Sequence, residues 1–434
     1  MTEEQPINLY QMHLGEISDE IEGNESIFEF LPYSSLRRWL YDTSIYEEAH
    51  GSLPLMRLHH IRSLSFLSYL GKNRESLYYI TPANHTRYDH SLVVAMVSEE
   101  ILKQNCFPQE EINKGILAGL VHDIATPAHG DATKKTDPRN LDEENFWSEV
   151  IGEKGLEYLA KYGLSKEGMD QIIHNQGVLG KVLDIADKIT YTMKDVYNLY
   201  TVLVAPAENF DPVFFPLYII MQKAPQVGDI YKDVNIRRST REVFFSDPER
   251  FFDFLKLRAI ISKNYYYNPS SQGRDLLIRR LIEPIYSVEE DTLLNPSKLR
   301  SIGDESLLNI ISNYYGIVTT SYMFGNLINW HPRYEVFKTW EEEKRRESEL
   351  RREQGIWVIG TYYCKGFNTA VDFSVLYEGE IIPFEEAMPW KANELQEMSD
   401  SVKGYYVFYA PKGQNNVVDT LLEKLSKKTE ELNS

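Results

Sequence analysis

Four residues of this 434-residue chain, His90, His122, Asp123 and Asp187, have the types and the order that metal chemistry requires. Divalent cations that activate water take imidazole and carboxylate ligands that converge while leaving a coordination position open. The adjacent pair His122-Asp123 offers one nitrogen and one oxygen from a single turn, and His90 and Asp187 complete the set if their helices pack against that turn. Singly, each has a bland reading as a structural histidine or a chance dipeptide. The order His, His-Asp, Asp, each at a helix, is far more specific. Only two cysteines occur, Cys106 and Cys364, so neither a disulfide framework nor a thiolate cluster is available and a metal must sit on His and carboxylates.

The elements that must position these residues read as helices. Leu36 to His50 and Leu53 to Leu70 precede a loop at Gly71-Lys72-Asn73. From Asp89 to Gln104 the apolar residues Val93, Met96, Val97 and Ile101 recur at helical spacing, and Ile112, Ile116, Leu117, Leu120 and Val121 do the same before His122. His90 therefore opens one helix and His122 ends another. The polar stretch Asp131 to Asn140 reads as loop, followed by helices over Phe146 to Tyr162 and onward from Met169. Val182, Ala186, Ile189, Met193, Val196 and Tyr200 form an apolar stripe, while Asp187, Tyr191 and Asp195 step by four along another face of that helix. Pro206, Pro212, Pro216 and Pro225 punctuate a looser connection, Phe251 to Tyr266 reads as helix, and further helices run to about residue 340. The charge-dense run Glu341 to Arg352 is a solvated helix. Beyond Gln354, Ile356 to Ile359, Ala370 to Tyr377 and Tyr405 to Tyr409 are rich in β-branched and aromatic residues and predict strands, with a last helix near Val417 to Leu432.

Apolar residues make up 42% and charged residues 26%, a globular composition, and no long uncharged apolar run predicts a membrane span. That, with an acidic start unlike a signal sequence, points to the cytoplasm. A net charge of -19 argues against broad nucleic-acid binding, which needs a basic surface to displace counterions, but leaves room for a local basic pocket.

Three motifs carry a family resemblance. Arg57-Leu58-His59-His60-Ile61-Arg62-Ser63-Leu64 followed by Asn84-His85-Thr86-Arg87-Tyr88-Asp89-His90-Ser91-Leu92, then Ala118-Gly119-Leu120-Val121-His122-Asp123-Ile124-Ala125, then Asp187-Lys188-Ile189-Thr190-Tyr191-Thr192-Met193-Lys194-Asp195, resemble the HD superfamily of metal-dependent phosphohydrolases. Within it they look most like the deoxynucleoside triphosphate triphosphohydrolases, over roughly residues 53 to 270. The resemblance implies a mainly α fold, an HD-domain helical core with a smaller C-terminal α+β segment. It divides the chain into an acidic N-terminal segment and first helix (1–50), an HD phosphohydrolase domain (51–290), a helical extension (291–353) and the C-terminal α+β segment (354–434).

The resemblance also implies roles. His90, His122, Asp123 and Asp187 would ligate a divalent ion (Mn, Mg, Fe, Ni, Co or Zn), and Arg87, Lys188 and Arg258 would meet the triphosphate. Tyr191 and Asp195 would contact the sugar, and Tyr266 would pack on base or sugar. The substrate is expected to be a nucleotide, most specifically a dNTP cleaved to deoxynucleoside and triphosphate, by a homo-oligomer. Ser63 stands where the family has a glutamine that reads the sugar. After the His-Asp pair, His129 and Asp131 both compete for the position of a proton-donating histidine. The family's later catalytic histidine has no counterpart, since Leu141 to Phe146 offers only carboxylates, among them Glu143 and Glu144, which can protonate a leaving oxygen if burial raises the pKa. Alternatives are an HD-type nucleotidase or phosphodiesterase, and a nucleotide-binding sensor with little turnover.

Overall fold

The turn before His90 is built to start a helix. Thr86 has extended backbone, its hydroxyl accepts the Asp89 N–H at 3.3 Å, and Asp89 Oδ2 accepts the Thr86 N–H at 2.9 Å, a reciprocal capping box. A computed structural model describes residues 44–63, 85–203, 227–289, 292–317 and 330–432, together with 320, 323, 326 and 327. The expected helix start at Leu36, the stretch Leu64 to Leu70, the loop Gly71-Lys72-Asn73 and Pro206, Pro212, Pro216 and Pro225 lie outside the described residues.

In chain order the described helices begin with α1 (Ser44–Ser52), α2 (Arg87–Gln104), α3 (Gln109–Val121), α4 (Gly130–Lys134), α5 (Glu143–Lys161), α6 (Lys166–Ile173) and α7 (Gly177–Leu203). A hairpin of β1 (Val234–Arg237) and β2 (Glu242–Phe245) precedes α8 (Pro248–Ile261), which Asp247 caps and a π-turn over Ser262–Tyr266 extends, and then α9 (Pro269–Ile282). After α10 (Pro296–Ser301) and α11 (Asp304–Tyr314) come β3 (Arg333–Phe337), α12 (Trp340–Arg352), β4 (Ile356–Cys364), β5 (Ser374–Tyr377), β6 (Glu380–Pro383), α13 (Phe384–Ala387), α14 (Pro389–Asp400), β7 (Gly404–Pro411) and α15 (Asn416–Leu432). The fold is mainly α with smaller sheets, one in the order β1-β2-β5-β6 and one in the order β3-β7-β4. No helix among the described residues is long and apolar enough to cross a membrane.

Close packing of α2 on α3 sets the site. A Cβ on Gly119 would lie 2.5 Å from Ala95 Cα and 2.6 Å from Ala95 N, so the two backbones meet at a point where only glycine fits. The contact brings the rings of His90, in the first turn of α2, and His122, just past the end of α3, to 5.4 Å between centroids.

Several expectations require correction. Asp131 to Asn140 is not all loop, because a left-handed turn at His129 starts the five-residue α4, too short to show a period. Leu53 to Leu70 does not begin as an α-helix: Leu55–His60 is a 3-10 turn, and Ser63 N–H and Arg87 N–H donate to His85 O and Ile61 O, tying this segment to the start of α2. The hairpin β1-β2 and the strand β3 fall where connections and helices were expected, and α14 was not anticipated. Strand identity there is set by pairing: β2 runs parallel to β5 with Phe245 opposite Val375, and β3 runs antiparallel to β7. Sheets thus cross the expected divisions at residues 290 and 353, and one hydrophobic core continues from Ile45 to Leu425. The charged helix α12 is largely solvated as expected, although Glu343 and Leu350 are buried.

Candidate metal centre and its cavity

His90 Nε2, His122 Nε2 and an Asp187 oxygen converge, all within 4.8 Å of one another. His90 Nε2 lies 2.8 Å from Asp187 Oδ1, and His122 Nε2 lies 3.7 Å from the same oxygen. Asp123 stands beside them, its Oδ2 3.7 Å from His90 Nε2, 3.8 Å from His122 Nε2 and 2.7 Å from Arg87 Nη1. His122 Nδ1 donates to Gly119 O at 2.8 Å, which leaves Nε2 as the ligand nitrogen, and that buried Nε2 has no hydrogen-bond partner. An orphaned imidazole nitrogen facing two carboxylates fits a divalent ion, and the group His90, His122 and Asp187 can hold one.

Electrostatics agree. Burial opposes charge on His122, but the Asp123 and Asp187 carboxylates overcome it and raise its pKa to about 9. Burial also opposes ionisation of Asp123, yet the charges of Arg87, His122 and His90 hold its carboxyl down at about 2. Burial lowers the pKa of His90. A metal entering the centre therefore displaces a proton from His122. The backbone that follows is clamped by Arg57, whose Nη2 donates to Ile124 O at 2.7 Å and to Thr126 O at 2.8 Å.

The centre opens into a cavity of about 700 Å³. Asp131, Glu143, Glu144, Arg87, Tyr191, Asp195, Arg258 and Tyr266 line it, as do the four residues of the centre. Arg258 Nε donates to Tyr191 OH and its Nη1 to Asn368 O, while Tyr266, carried by the π-turn, donates to Asp195 Oδ2. Ser63 also lines the cavity with a buried hydroxyl that has no hydrogen-bond partner. Glu143 sits against Lys134 at 3.0 Å; burial pushes its carboxyl up, Lys134 pulls it down, Asp123 and Asp131 push it up again, and the result is about 7. Burial raises Glu144 as well.

Two expected residues are placed elsewhere. His129 does not line the cavity: it is 3% exposed, its N–H donates to Asp304 Oδ1 at 2.7 Å, and the nearest charges on its ring are Asp304 and Arg62. The left-handed turn that starts α4 swings it to that side. Lys188 does not line the cavity either, because its ammonium pairs with Asp184 one helical turn earlier and lies over the Phe373 ring. Conversely, His85, 3.1 Å from Asp195, and the cavity cations Lys135 and Lys365 carry no expectation from sequence. His85 lay in a quoted motif, Lys135 in a stretch read as loop, and Lys365 in a segment of unassigned role.

Part of the sequence, and the fold, are similar to known proteins. Residues 87–192 match the HD domain family. That HD domain contains His90, His122, Asp123 and Asp187. An uncharacterized protein of Methanocaldococcus jannaschii is 26% identical over 126 residues, covering 27% of this chain, and the match spans a quarter (25%) of that relative's length. The fold resembles a hypothetical protein from Aquifex aeolicus (TM-score 0.59, 17% identity, covering 89% of this chain and 96% of the other). It also resembles a phosphohydrolase from Bacteroides thetaiotaomicron VPI-5482 (TM-score 0.54, 14% identity, covering 82% and 92%). The HD domain and its histidine–carboxylate group support a metal-dependent hydrolase.

Proposed function

We propose that this chain hydrolyses a nucleotide phosphoester or anhydride with a divalent ion on His90, His122, Asp123 and Asp187, and that its substrate is a dNTP cleaved to deoxynucleoside and triphosphate. The observation that carries the reading is the HD centre opening into a nucleotide-sized cavity that bears both cations and hydrogen-bonding aromatics. The likeness in fold to a phosphohydrolase supports the reaction class. The dNTP substrate is supported by the resemblance of the motifs around Arg87, Tyr191 and Asp195, as is a cytoplasmic homo-oligomer.

A divalent ion on these ligands supplies a Lewis acid and lowers the pKa of a bound water. The chain does the rest. Carboxylates outnumber Lys and Arg along the cavity, so a polyphosphate enters only against metal-neutralised acids, with Arg87, Lys135, Lys365 and Arg258 as its cationic contacts. Tyr191, held by Arg258, and Asp195, held by Tyr266 and His85, form a preorganised wall for the sugar. Glu143 takes the part of the proton donor that no histidine fills. With a carboxyl at about 7 it is protonated in about half of the molecules at neutral pH, and in that form it delivers the proton to the departing 5′-oxygen as the bond from that oxygen to phosphorus breaks.

The test is turnover of dNTPs, NTPs, nucleoside monophosphates and cyclic nucleotides by protein loaded with Mn²⁺, Mg²⁺, Ni²⁺ or Co²⁺ in turn, with products resolved and a His122→Ala/Asp123→Ala control. Inorganic triphosphate that disappears in the control is the expected result. Phosphate from monophosphates or opening of cyclic nucleotides would redirect the substrate, and nucleotide binding without turnover under any metal would make the protein a sensor.

A further inference from the structure

Residues 365–370 lie between β4 and β5 and belong to neither, yet Lys365, Gly366, Phe367 and Asn368 line the cavity. This loop is held from behind by one side chain of α14. The Ser399 hydroxyl accepts the Phe367 N–H at 2.9 Å and donates to Phe367 O at 2.8 Å, so a single group satisfies both backbone atoms of a buried residue. Ser399 is 1% exposed and does not itself line the cavity. The approach leaves no room for a side chain on the neighbouring residue: Gly366 has a φ of +89°, and a Cβ there would lie 2.6 Å from Ser399 Oγ. The loop is also fixed on its other side. Asn368 Oδ1 accepts the Ala370 N–H at 2.7 Å, and Asn368 O accepts from Arg258 on α8. α8 and α14 are themselves joined by Lys256 with Glu394 at 2.6 Å and by Lys391 with Glu249, so helix, loop and helix close on one another. Lys365 stands between two fixed points, Cys364 paired with Gly404 at the end of β4 and Phe367 bonded to Ser399.

We propose that Ser399 is a positioning residue for the polyphosphate: by fixing Phe367 it sets the direction from which Lys365 enters the cavity, while touching no substrate itself. This rests on the nucleotide reading given above, in which Lys365 meets the phosphates. A lysine carries a long flexible stem, and it adds affinity only to the extent that the chain bearing it is ordered before the ligand arrives. Without the hydroxyl, Phe367 N–H and Phe367 O are buried and unsatisfied where the loop now sits, so the loop leaves that position to reach water and each binding event must order it again. That cost falls on substrate affinity. The metal group stands on other elements, His90 on α2, His122 just past α3 and Asp187 on α7, so the chemical step keeps its geometry.

The experiment uses the full-length protein loaded with Mn²⁺ and compares wild type, Ser399→Ala, Lys365→Gln and the double variant, by kcat and KM for dNTPs and by calorimetric binding of inorganic triphosphate. Ser399→Ala is expected to raise KM and the triphosphate Kd about 3- to 10-fold, the worth of about one hydrogen bond, with kcat changed less than about twofold. In the Lys365→Gln background the same substitution is expected to change KM less than about twofold, because the group it positions is gone, whereas a merely structural serine would raise KM by the same factor in both backgrounds. Hydrogen exchange at the Phe367 amide, read without nucleotide, is expected to accelerate in Ser399→Ala. Should alanine fail to fold, Ser399→Cys, close to serine in size and a weaker hydrogen-bonding group, takes its place in the same cycle. An unchanged KM, equal factors in both backgrounds or an unaltered exchange rate overturns the proposal and leaves the phosphohydrolase reading standing. A wild type that neither binds triphosphate nor turns over any dNTP removes the two together.

Discussion

Replacing Glu143 by glutamine separates two consequences of one buried acid. Its carboxyl lies at about 7 against an ordinary 4.5, with a side chain only 16% exposed. That displacement corresponds to about 3 kcal/mol, the cost of ionising the group in the folded rather than the unfolded chain. The sign follows from proton uptake. Between pH 4.5 and 7 the folded state binds more protons at this site than the unfolded state, so its contribution is fully present below 4.5 and is lost as pH rises through 7. Glutamine carries no charge at any pH and keeps the shape, and Lys134 retains Asp142 at 2.9 Å. Metal-free Glu143→Gln is therefore expected to match the wild type near pH 4.5 and to exceed it by about 3 kcal/mol at pH 8 in urea unfolding. Titrating groups that do not interact with Glu143 cancel in the difference between the two proteins. In the metal-loaded enzyme the same substitution removes the proton donor, so kcat/KM falls by about 10²- to 10⁴-fold and the wild-type decline on the alkaline side disappears from the profile. A variant that is no more stable at pH 8 than at pH 4.5, relative to wild type, would refute the buried-acid account; unchanged activity would refute its role as donor.

The other predictions rest on contacts already described. Mn²⁺ is expected to raise the melting temperature of the wild type, with a gain of about 2.7 kcal/mol at a hundredfold excess over Kd, and to leave His122→Ala unmoved. Because the metal must displace a proton from an imidazole raised to about 9, affinity measured by calorimetry should tighten about tenfold per pH unit between pH 6 and 8, with proton release. Gly119→Ala puts a methyl against the Ala95 backbone and is expected to cost about 1–3 kcal/mol or more in chemical denaturation while loosening metal binding. Lys365→Gln should raise KM for a triphosphate about tenfold or more, whereas Lys188→Gln should change it little, since the Lys188 ammonium is taken up by Asp184 and Lys188 is not a lining residue of the cavity.

The metal end of the site was legible because it is local. His90 opens one helix, His122-Asp123 ends an apolar one, and Asp187, Tyr191 and Asp195 share one face through four-residue steps; periodicity groups the last three, and the order His, His-Asp, Asp with its family resemblance groups the ligands. The helical core was legible for the same reason. His129 and Lys188 were misplaced by details that spacing does not record, a left-handed turn in one case and an intrahelical ion pair in the other. Asp275, Lys135 and Lys365 left no signal, since each reaches the cavity through packing of α9, α4 and β4 that joins residues far apart in the chain. β2 and β5 are the extreme instance, paired in parallel across more than a hundred residues.

This division has a functional consequence. The candidate ligands lie between 87 and 192, His90 and His122 on helices packed backbone to backbone, and substitutions there are expected to abolish metal binding and any turnover that depends on it. The wall made by α9, β4 and the loop through Asn368 lies outside residues 87–192, and the bond from Arg258 to Asn368 O ties that loop to α8. Among the described residues Tyr362 and Lys365 make no ion pair with the metal group, so changes at either should alter which substrate is taken while leaving metal affinity as it was. Calorimetric titration of Mn²⁺ into Lys365→Gln checks the separation: an unchanged metal isotherm beside a raised KM for a triphosphate is expected, and a weakened isotherm would mean that the two ends of the cavity are one mechanical unit.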